Sequence, residues 1–368
     1  MQRTPRWLWI TALVILGALL VFLVILPKAC TIYTDWLWLD SQGYGTVFKT
    51  VYLAKVKLFF LFGIAFFLFL WFNCRLARRI ARKDFKVVRR RLLPEAERAQ
   101  IERHADKVLL GLSIVGALLV AYYASYKAVD WLLFRHAVMF GDVPQLAARG
   151  EAYWKDPIFG KDIGFYVFKL PFMEYVWRTV YGTLIVTLVV ASVTHLYEET
   201  MQVSGSRVQM ATPARKHVLS LLAGVLFWKG FGYGIANWKL VTAHRGFVWG
   251  AGYTEFVVHR PILFVLWAVA LIGAGVCVWT IRRQNVRPAG MAVVALLVFG
   301  LVGHHVAPSL VQWLVVQPHE SVEEAPYIEH NMKYTRVAYG LSEVIAETRD
   351  FGQRLAQDPR VTHPVTMA

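Results

Sequence analysis

Charge is what this chain has least of. Only 17% of its 368 residues are Asp, Glu, Lys or Arg, against about 25% in a soluble domain. Cysteine is scarcer still. Cys30, Cys74 and Cys277 fall outside, inside and within a span on the topology below, which excludes an internal disulfide. The absence of any Cys-x-x-Cys excludes a thiolate zinc or iron–sulfur site. There is no Ser/His/Asp order, Walker loop, dinucleotide fingerprint or His-Glu-x-x-His, so no catalytic set is expected and the chain reads as a non-enzyme. Strand-like dyad alternation is missing as well, which argues against a barrel.

What the chain has instead is long apolar runs, with 57% of its residues hydrophobic. Seven runs approach the roughly 20 residues that a helix needs to cross a hydrocarbon core: 7–26, 51–72, 108–126, 175–197, 217–235, 261–281 and 289–316. Backbone groups in lipid must be satisfied within the segment, so these are read as helices. The fold class is all-α, a polytopic membrane protein with seven transmembrane helices. The fifth run is loosened by Gly224, Gly230, Gly232 and Gly234 and interrupted by Lys229, which predicts a short, tilted or broken span. The first run has Arg3 and Arg6 before it but is long for a signal segment. Lys28 stands where a cleavage site wants a small residue, so the run is expected to be a retained anchor.

The formal charge of +16 is unevenly placed. With the N-terminus inside, the inner segments hold 20 Lys/Arg and 7 Asp/Glu, and the rest of the chain 20 and 17. Inner segments are also shorter, so the basic density there is high. That positive-inside signature gives N-in, C-out and removes the nucleic-acid partner that net charge alone would suggest. Arg75, Arg78, Arg79, Arg82, Arg89, Arg90 and Arg91 form the densest cluster, read as a topology determinant in contact with anionic lipid headgroups.

The membrane domain is read as 1–316, with a basic cytoplasmic hairpin at about 74–107. There Pro94, Glu95 and Glu97 resemble a helix start. Fourteen Trp residues gather near span ends and outer loops as an aromatic belt. The outer segments 33–50, 127–174 and 232–260 are aromatic enough to predict helices lying along the outer surface. Residues 317–368 read as an acidic extracytoplasmic connector and tail, with a weakly amphipathic helix over 337–355 and a frayed end. Some fifty residues build no sizeable core of their own, so this tail leans on the membrane domain or a partner.

Several motifs then carry a resemblance. They are Tyr33-x-Asp35-Trp36-Leu37-Trp38 with Gly43-Tyr44, the run from Asp156-Pro157-Ile158-Phe159-Gly160-Lys161-Asp162 to Leu170-Pro171-Phe172, Gly250-Ala251-Gly252-Tyr253-Thr254, and Pro326-Tyr327-Ile328 with Asn331, Thr335-Arg336 and Ala338-Tyr339-Gly340-Leu341. Together they resemble the uncharacterised protein family 0182, bacterial membrane proteins with about seven N-terminal spans. The resemblance implies residence in the bacterial inner (cell) membrane and no particular activity. It also implies a large extracytoplasmic domain after the Ala-Tyr-Gly-Leu segment, where this chain has only a short tail. A short form, one piece of a split gene and an incomplete chain all fit that departure.

Three constellations are candidates for chemistry. His304 and His305 lie near the middle of the seventh run, where polar groups are costly and usually functional. They suit a haem or metal ligand or a proton relay, or, more plainly, an interhelical hydrogen bond. No other run offers the second mid-depth His of a bis-histidine haem. His195 and His217 meet the inner face from two runs, with Glu198 and Glu199 close by, a set that suits zinc or iron and equally an ordinary headgroup boundary. Asp156 and Asp162 flank Pro157, Phe159, Gly160 and Lys161. Paired acids suit catalysis or Ca²⁺, but Lys161 competes, and a fixed turn docking a partner or an aromatic segment is the simpler expectation.

Transporters show repeats and intramembrane charges, and this chain shows neither beyond the two His. The leading expectation is therefore a non-catalytic membrane subunit that anchors or organises an assembly. Its partners would be lipids and other membrane or extracytoplasmic subunits, or further copies of itself. The alternative is a transporter of a lipid-like or small anionic substrate, and a weaker one is a haem- or metal-binding redox subunit.

Overall fold

A computed structural model describes residues 26–83, 95–140 and 155–341, apart from 205–206, 243, 246–247 and 284, together with a few positions between 11 and 23. The described chain is overwhelmingly helical. Its main helices are α1 (Leu26–Ser41), α2 (Gly45–Lys83), α3 (Glu95–Tyr126), α4 (Ala128–Phe140), α5 (Leu170–Tyr197), α6 (Thr212–Lys239), α7 (Arg260–Thr280), α8 (Arg287–Leu301), α9 (Ala307–Val311), α10 (Glu320–Glu323) and α11 (Ala325–Ala338). Two hairpins interrupt them: β1 (Met201–Ser204) with β2 (Arg207–Met210), and β3 (His244–Arg245) with β4 (Val248–Trp249). Both hairpins lie between helix ends, and the apolar pattern gave no sign of them.

Among the described residues, six helical stretches are long and apolar enough to cross a membrane: Gly45–Ala81, Glu102–Tyr126, Phe165–Tyr197, Thr212–Thr242, Glu255–Thr280 and Arg287–Glu323. The first expected span, 7–26, lies almost wholly outside the described residues. Successive stretches pack side by side, α2 on α3 and α5, then α5 on α6, α6 on α7 and α7 on α8. One end of the bundle therefore collects the basic linkers and the other the aromatic ones.

Small residues set the closest approaches, as expected where lipid supplies no hydrophobic drive between helices. A Cβ on Gly63 would stand 2.8 Å from the Ala121 methyl, and one on Gly116 2.7 Å from the Phe66 ring, so α2 and α3 touch nearly backbone to backbone. α4 lays Trp131 and Phe134 against Phe172 at the start of α5, with centroids 5.1 and 4.9 Å apart. The other core joins α6, α7 and α8 through Leu226, Leu266, Ala270, Cys277 and Leu296.

Four π-helical turns share one cause. Phe165–Lys169, Glu255–His259, Val302–Val306 and Gln312–Val316 each end one residue before an Xaa-Pro step, at Pro171, Pro261, Pro308 and Pro318. The last N–H before each proline bonds five residues back, as Leu170 does to the Phe165 carbonyl. A proline ring clashes with the carbonyl four residues earlier, and one extra residue in the turn relieves it.

Several expectations need correction. The fifth span is unbroken over 28 residues, because its glycines admit neighbours instead of ending the helix. Among its described residues, segment 232–260 shows no separate α-helix. It contains the end of α6, the β3/β4 hairpin and the start of the α7 stretch. Residues 45–50 of the first outer segment belong to α2, after a turn at Gly43 with φ 79°. Of segment 127–174, α4 is a separate short helix, while 165–174 already belong to the α5 stretch. The connector after 317 stays helical to Glu323, and α11 covers 325–338; of the helix expected over 337–355, residues 342 onward lie outside the described ones. In the basic hairpin α3 does begin at Glu95, directly after Pro94, whereas 84–94 are not described.

Candidate functional site

At the aromatic end three segments distant in sequence are tied into one surface. The first is the turn 155–164, closed by a bridge between Lys155 and Asp162. Gly160 takes φ 63° within it. The Asp156 carboxylate, 6% exposed, accepts the N–H groups of Ile158 and Phe159 at 3.0 and 2.6 Å and the Tyr166 hydroxyl at 2.9 Å. Asp162 accepts the Gly164 N–H at 2.6 Å. Asp156 thus commits both oxygens, and Asp162 one, to this segment, and Lys161 lies over the Phe165 ring. Pro157 and Phe159 sit at the tip, Phe159 under the Arg260 guanidinium, 5.2 Å from the ring centroid.

The second segment is 250–256, and the third is α11 with the residue before it. Both Glu324 carboxylate oxygens accept the Tyr253 N–H at 3.2 Å. Thr254 donates its hydroxyl to the Gln312 amide oxygen at 2.5 Å. A Cβ on Gly252 would lie 2.8 Å from the Glu324 carboxylate, so a side chain there would push the carboxylate off its seat. Tyr334 donates to the Lys155 carbonyl at 2.6 Å, which fastens α11 to the turn. Burial holds the Glu324 carboxyl above the usual carboxylate range; the Tyr253 N–H partly offsets that, and the nearby Glu255 and Glu320 charges add to it. Between the three segments lies an open pocket of about 300 Å³ walled by Pro157, Ile163, Tyr166, Tyr327, His330 and Tyr334.

At the basic end the structure does bring His195 and His217 together. Their Nε2 and Nδ1 atoms are 3.1 Å apart, His217 Nε2 is 3.1 Å from Asn73 Oδ1, and His195 Nδ1 is 2.9 Å from the Thr200 hydroxyl. Asn73 commits its amide N–H to the Phe69 carbonyl at 2.7 Å, leaving its oxygen for His217. That choice sets the direction along the rings: His217 Nε2–H donates to Asn73 and His195 Nε2–H to His217 Nδ1, while the Thr200 hydroxyl lies within bonding distance of both His195 Nδ1 and, at 3.1 Å, the His195 carbonyl. Glu199, at φ 59°, turns the chain after α5 so that Thr200 returns to His195. Glu198 points elsewhere, 3.5 Å from the Arg78 Nε. Among the described residues no three His, Cys, Asp or Glu side chains group as a metal set.

Within the arginine cluster, Arg75 and Arg79 are exposed and Arg75 stacks over Trp71. Arg78 departs from the headgroup expectation. It is 4% exposed, because Asp106 and the Glu102 carbonyl of α3 take its guanidinium on one side and Glu198 on the other. Arg82 is on α2 with its side chain outside the description, and Arg89, Arg90 and Arg91 lie outside the described residues.

His304 and His305 sit in the π turn of the last stretch, their rings edge to face. The sequence missed His259, which stands before Pro261 and so fell outside the expected sixth span. It is 2% exposed, and its ring meets His304 edge to face at 5.2 Å. That contact leaves no slot for a macrocycle between the pair. Lys229 was the larger miss, passed over as an interruption although it lies deep in α6 beneath three aromatic rings. Its i±4 neighbour Tyr233 was the available signal.

The sequence pattern of the uncharacterised protein family UPF0182 matches residues 12–365. The chain belongs to this family. Similar proteins, each described only as a UPF0182 protein, include one from Pelotomaculum thermopropionicum, 30% identical over 90% of this chain and 36% of its own length. Another is from Nocardioides, 33% identical over 95% of this chain and 33% of its own, and a third from Streptomyces coelicolor is 29% identical over 90% and 32%. This chain therefore spans about a third of the length of the curated relatives it matches. No solved structure matches it. Three of the four sequence motifs that carried the resemblance, within 156–172, 250–254 and 326–341, meet at the aromatic-end surface.

Proposed function

We propose that this chain is a non-catalytic anchoring module of the bacterial inner membrane that holds an extracytoplasmic protein mass at the aromatic end of its bundle. The observation that carries this reading is the tied surface of 155–166, 250–256 and α11. Three separate segments are fixed by hydrogen bonds to Asp156, Glu324, Gln312 and the Lys155 carbonyl and still leave a pocket open beyond the spans. Relatives in which most of the chain lies outside the matched region would have such a mass to hold. The reading takes seven spans, N-in and C-out, and puts the basic end in the cytoplasm, supported by Arg75, Arg79, Arg282, Arg283 and Arg287 at one end of the bundle.

The test is purification in mild detergent with mass spectrometry of whatever accompanies the chain, repeated on Asp156→Ala and Tyr334→Phe. Stoichiometric extracytoplasmic partners that are lost in the variants are expected. A chain that emerges alone from its native membrane would overturn the reading. Passage of a lipid-like or small anionic substrate is the second reading, favoured by an open cleft beside Lys229. Uptake into proteoliposomes that survives Lys229→Gln unchanged would remove it.

A further inference from the structure

Lys229 is the eighteenth residue of α6, about 25 Å along its axis from Thr212 at 1.5 Å per residue. That puts it near the middle of the stretch Thr212–Thr242. Charges at such depth are rare, costly and normally paired. The Lys229 ammonium instead lies 5.0 Å from the Tyr233 ring centroid, 5.4 Å from that of Tyr181 and 5.5 Å from that of Trp177. Three electron-rich faces stabilise a cation without neutralising it. Among the described residues no carboxylate forms an ion pair with it.

The cage is built. Trp177 donates its indole N–H to the Trp228 carbonyl at 2.9 Å, and Trp228 returns the bond to the Trp177 carbonyl at 3.1 Å. This reciprocal pair fixes the α5–α6 crossing and the Trp177 ring under the ammonium. Gly232 completes it, since any side chain there would strike the Trp177 indole.

The cage forms one wall of a cleft of about 580 Å³ between α5, α6, α7 and α8. Toward its outer end Glu174 serves two cations at once, Arg178 at 2.5 Å and Lys239 at 2.8 Å. With Lys229 the cleft is lined by three cations and one carboxylate, and His304 and His305 also line the space. The opposite wall is apolar, with Leu297 and Leu301 at its mouth, 67% and 63% exposed on the face that would meet lipid.

We infer that this cleft is a binding site for an anionic amphiphile drawn sideways from the bilayer, its phosphate at the Lys229 cage and its tail along the α8 leucines. The anion supplies the counter-charge that the protein leaves out, and the apolar wall explains why a lipid fits better than a free ion. Binding of this kind holds whether or not anything crosses the membrane and whatever docks at the aromatic end.

The experiment is native mass spectrometry of the delipidated protein titrated with phosphatidylglycerol, with phosphatidylcholine and inorganic phosphate as the other probes. Saturable, preferential binding of phosphatidylglycerol is expected, at least tenfold weaker in Lys229→Gln and retained in Lys229→Arg. Leu301→Trp, which fills the mouth and leaves the cage intact, should also lose it while eluting as folded protein. Equal binding of the two lipids, or undiminished binding by a folded Lys229→Gln variant, would overturn the site. Displacement of phosphatidylglycerol by millimolar inorganic phosphate would reassign it to a free anion and overturn the lipid-like ligand.

Discussion

Helices α5 and α6 meet polar groups at two depths and treat them in opposite ways. At the basic end His195 and His217 close a hydrogen-bonded chain from Thr200 to Asn73. Near the middle Lys229 meets only π faces and an open cleft. The difference teaches what each site is for. A satisfied buried network rigidifies a junction, here of α2, α5, α6 and the turn after α5. A charge left without a counter-charge has a cost that a scaffold would not retain unless something else met it.

The largest effect expected on the closed side is at Arg78. Truncation to Ala removes the cation held between Asp106 and Glu198, the latter 8% exposed in its side chain, and removing one partner of a buried ion pair costs about 3–5 kcal/mol. Thermal unfolding in detergent should show a large drop in Tm, and an unchanged Tm would mean that the basic end is not a structural clamp. Next is His217→Leu, which leaves His195 and Asn73 facing an apolar group. The cost is about 1–3 kcal/mol, read in the same assay.

Lys229→Met sharpens the contrast, because its expected sign is opposite. Removing an uncompensated intramembrane charge should leave delipidated protein unchanged or more stable by about 1 kcal/mol, the burial cost outweighing the lost cation–π contacts. A loss as large as that at His217 would show that Lys229 is structural and close the comparison.

The smallest effect concerns Glu324. Its carboxyl is raised in the folded state by burial, so the folded protein holds the proton more tightly than the unfolded chain. Stability from this group is present below the unfolded value and lost as pH rises through the folded one. Docking of α11, followed by hydrogen exchange of its amides, should therefore tighten on acidification in this window. Glu324→Gln should flatten that dependence, and an unaltered profile would place the titration elsewhere.

Much of the bundle was legible because crossing a hydrocarbon core demands length and apolarity, both of which are written locally. Six of the seven expected runs reappear as helices long and apolar enough to span. Their starts were set late, at 175 and 261 instead of within the stretches beginning at Phe165 and Glu255, since prolines and polar residues mask the π turns that carry each helix outward. The meeting of His195 and His217 followed from two runs ending at one face. Two partners of that junction, Asn73 on α2 and the burial of Arg78, required knowing which helices touch.

Local composition thus determined by itself the helical class, six of the crossing-length runs and the separation of a basic from an aromatic end. These depend on each segment's own transfer energy and flanking charge. Only tertiary structure decided which polar groups would be neutralised. Whether Lys229 meets a carboxylate, a ring or a void depends on three other helices, and neither its neighbours in sequence nor the overall charge contains that information.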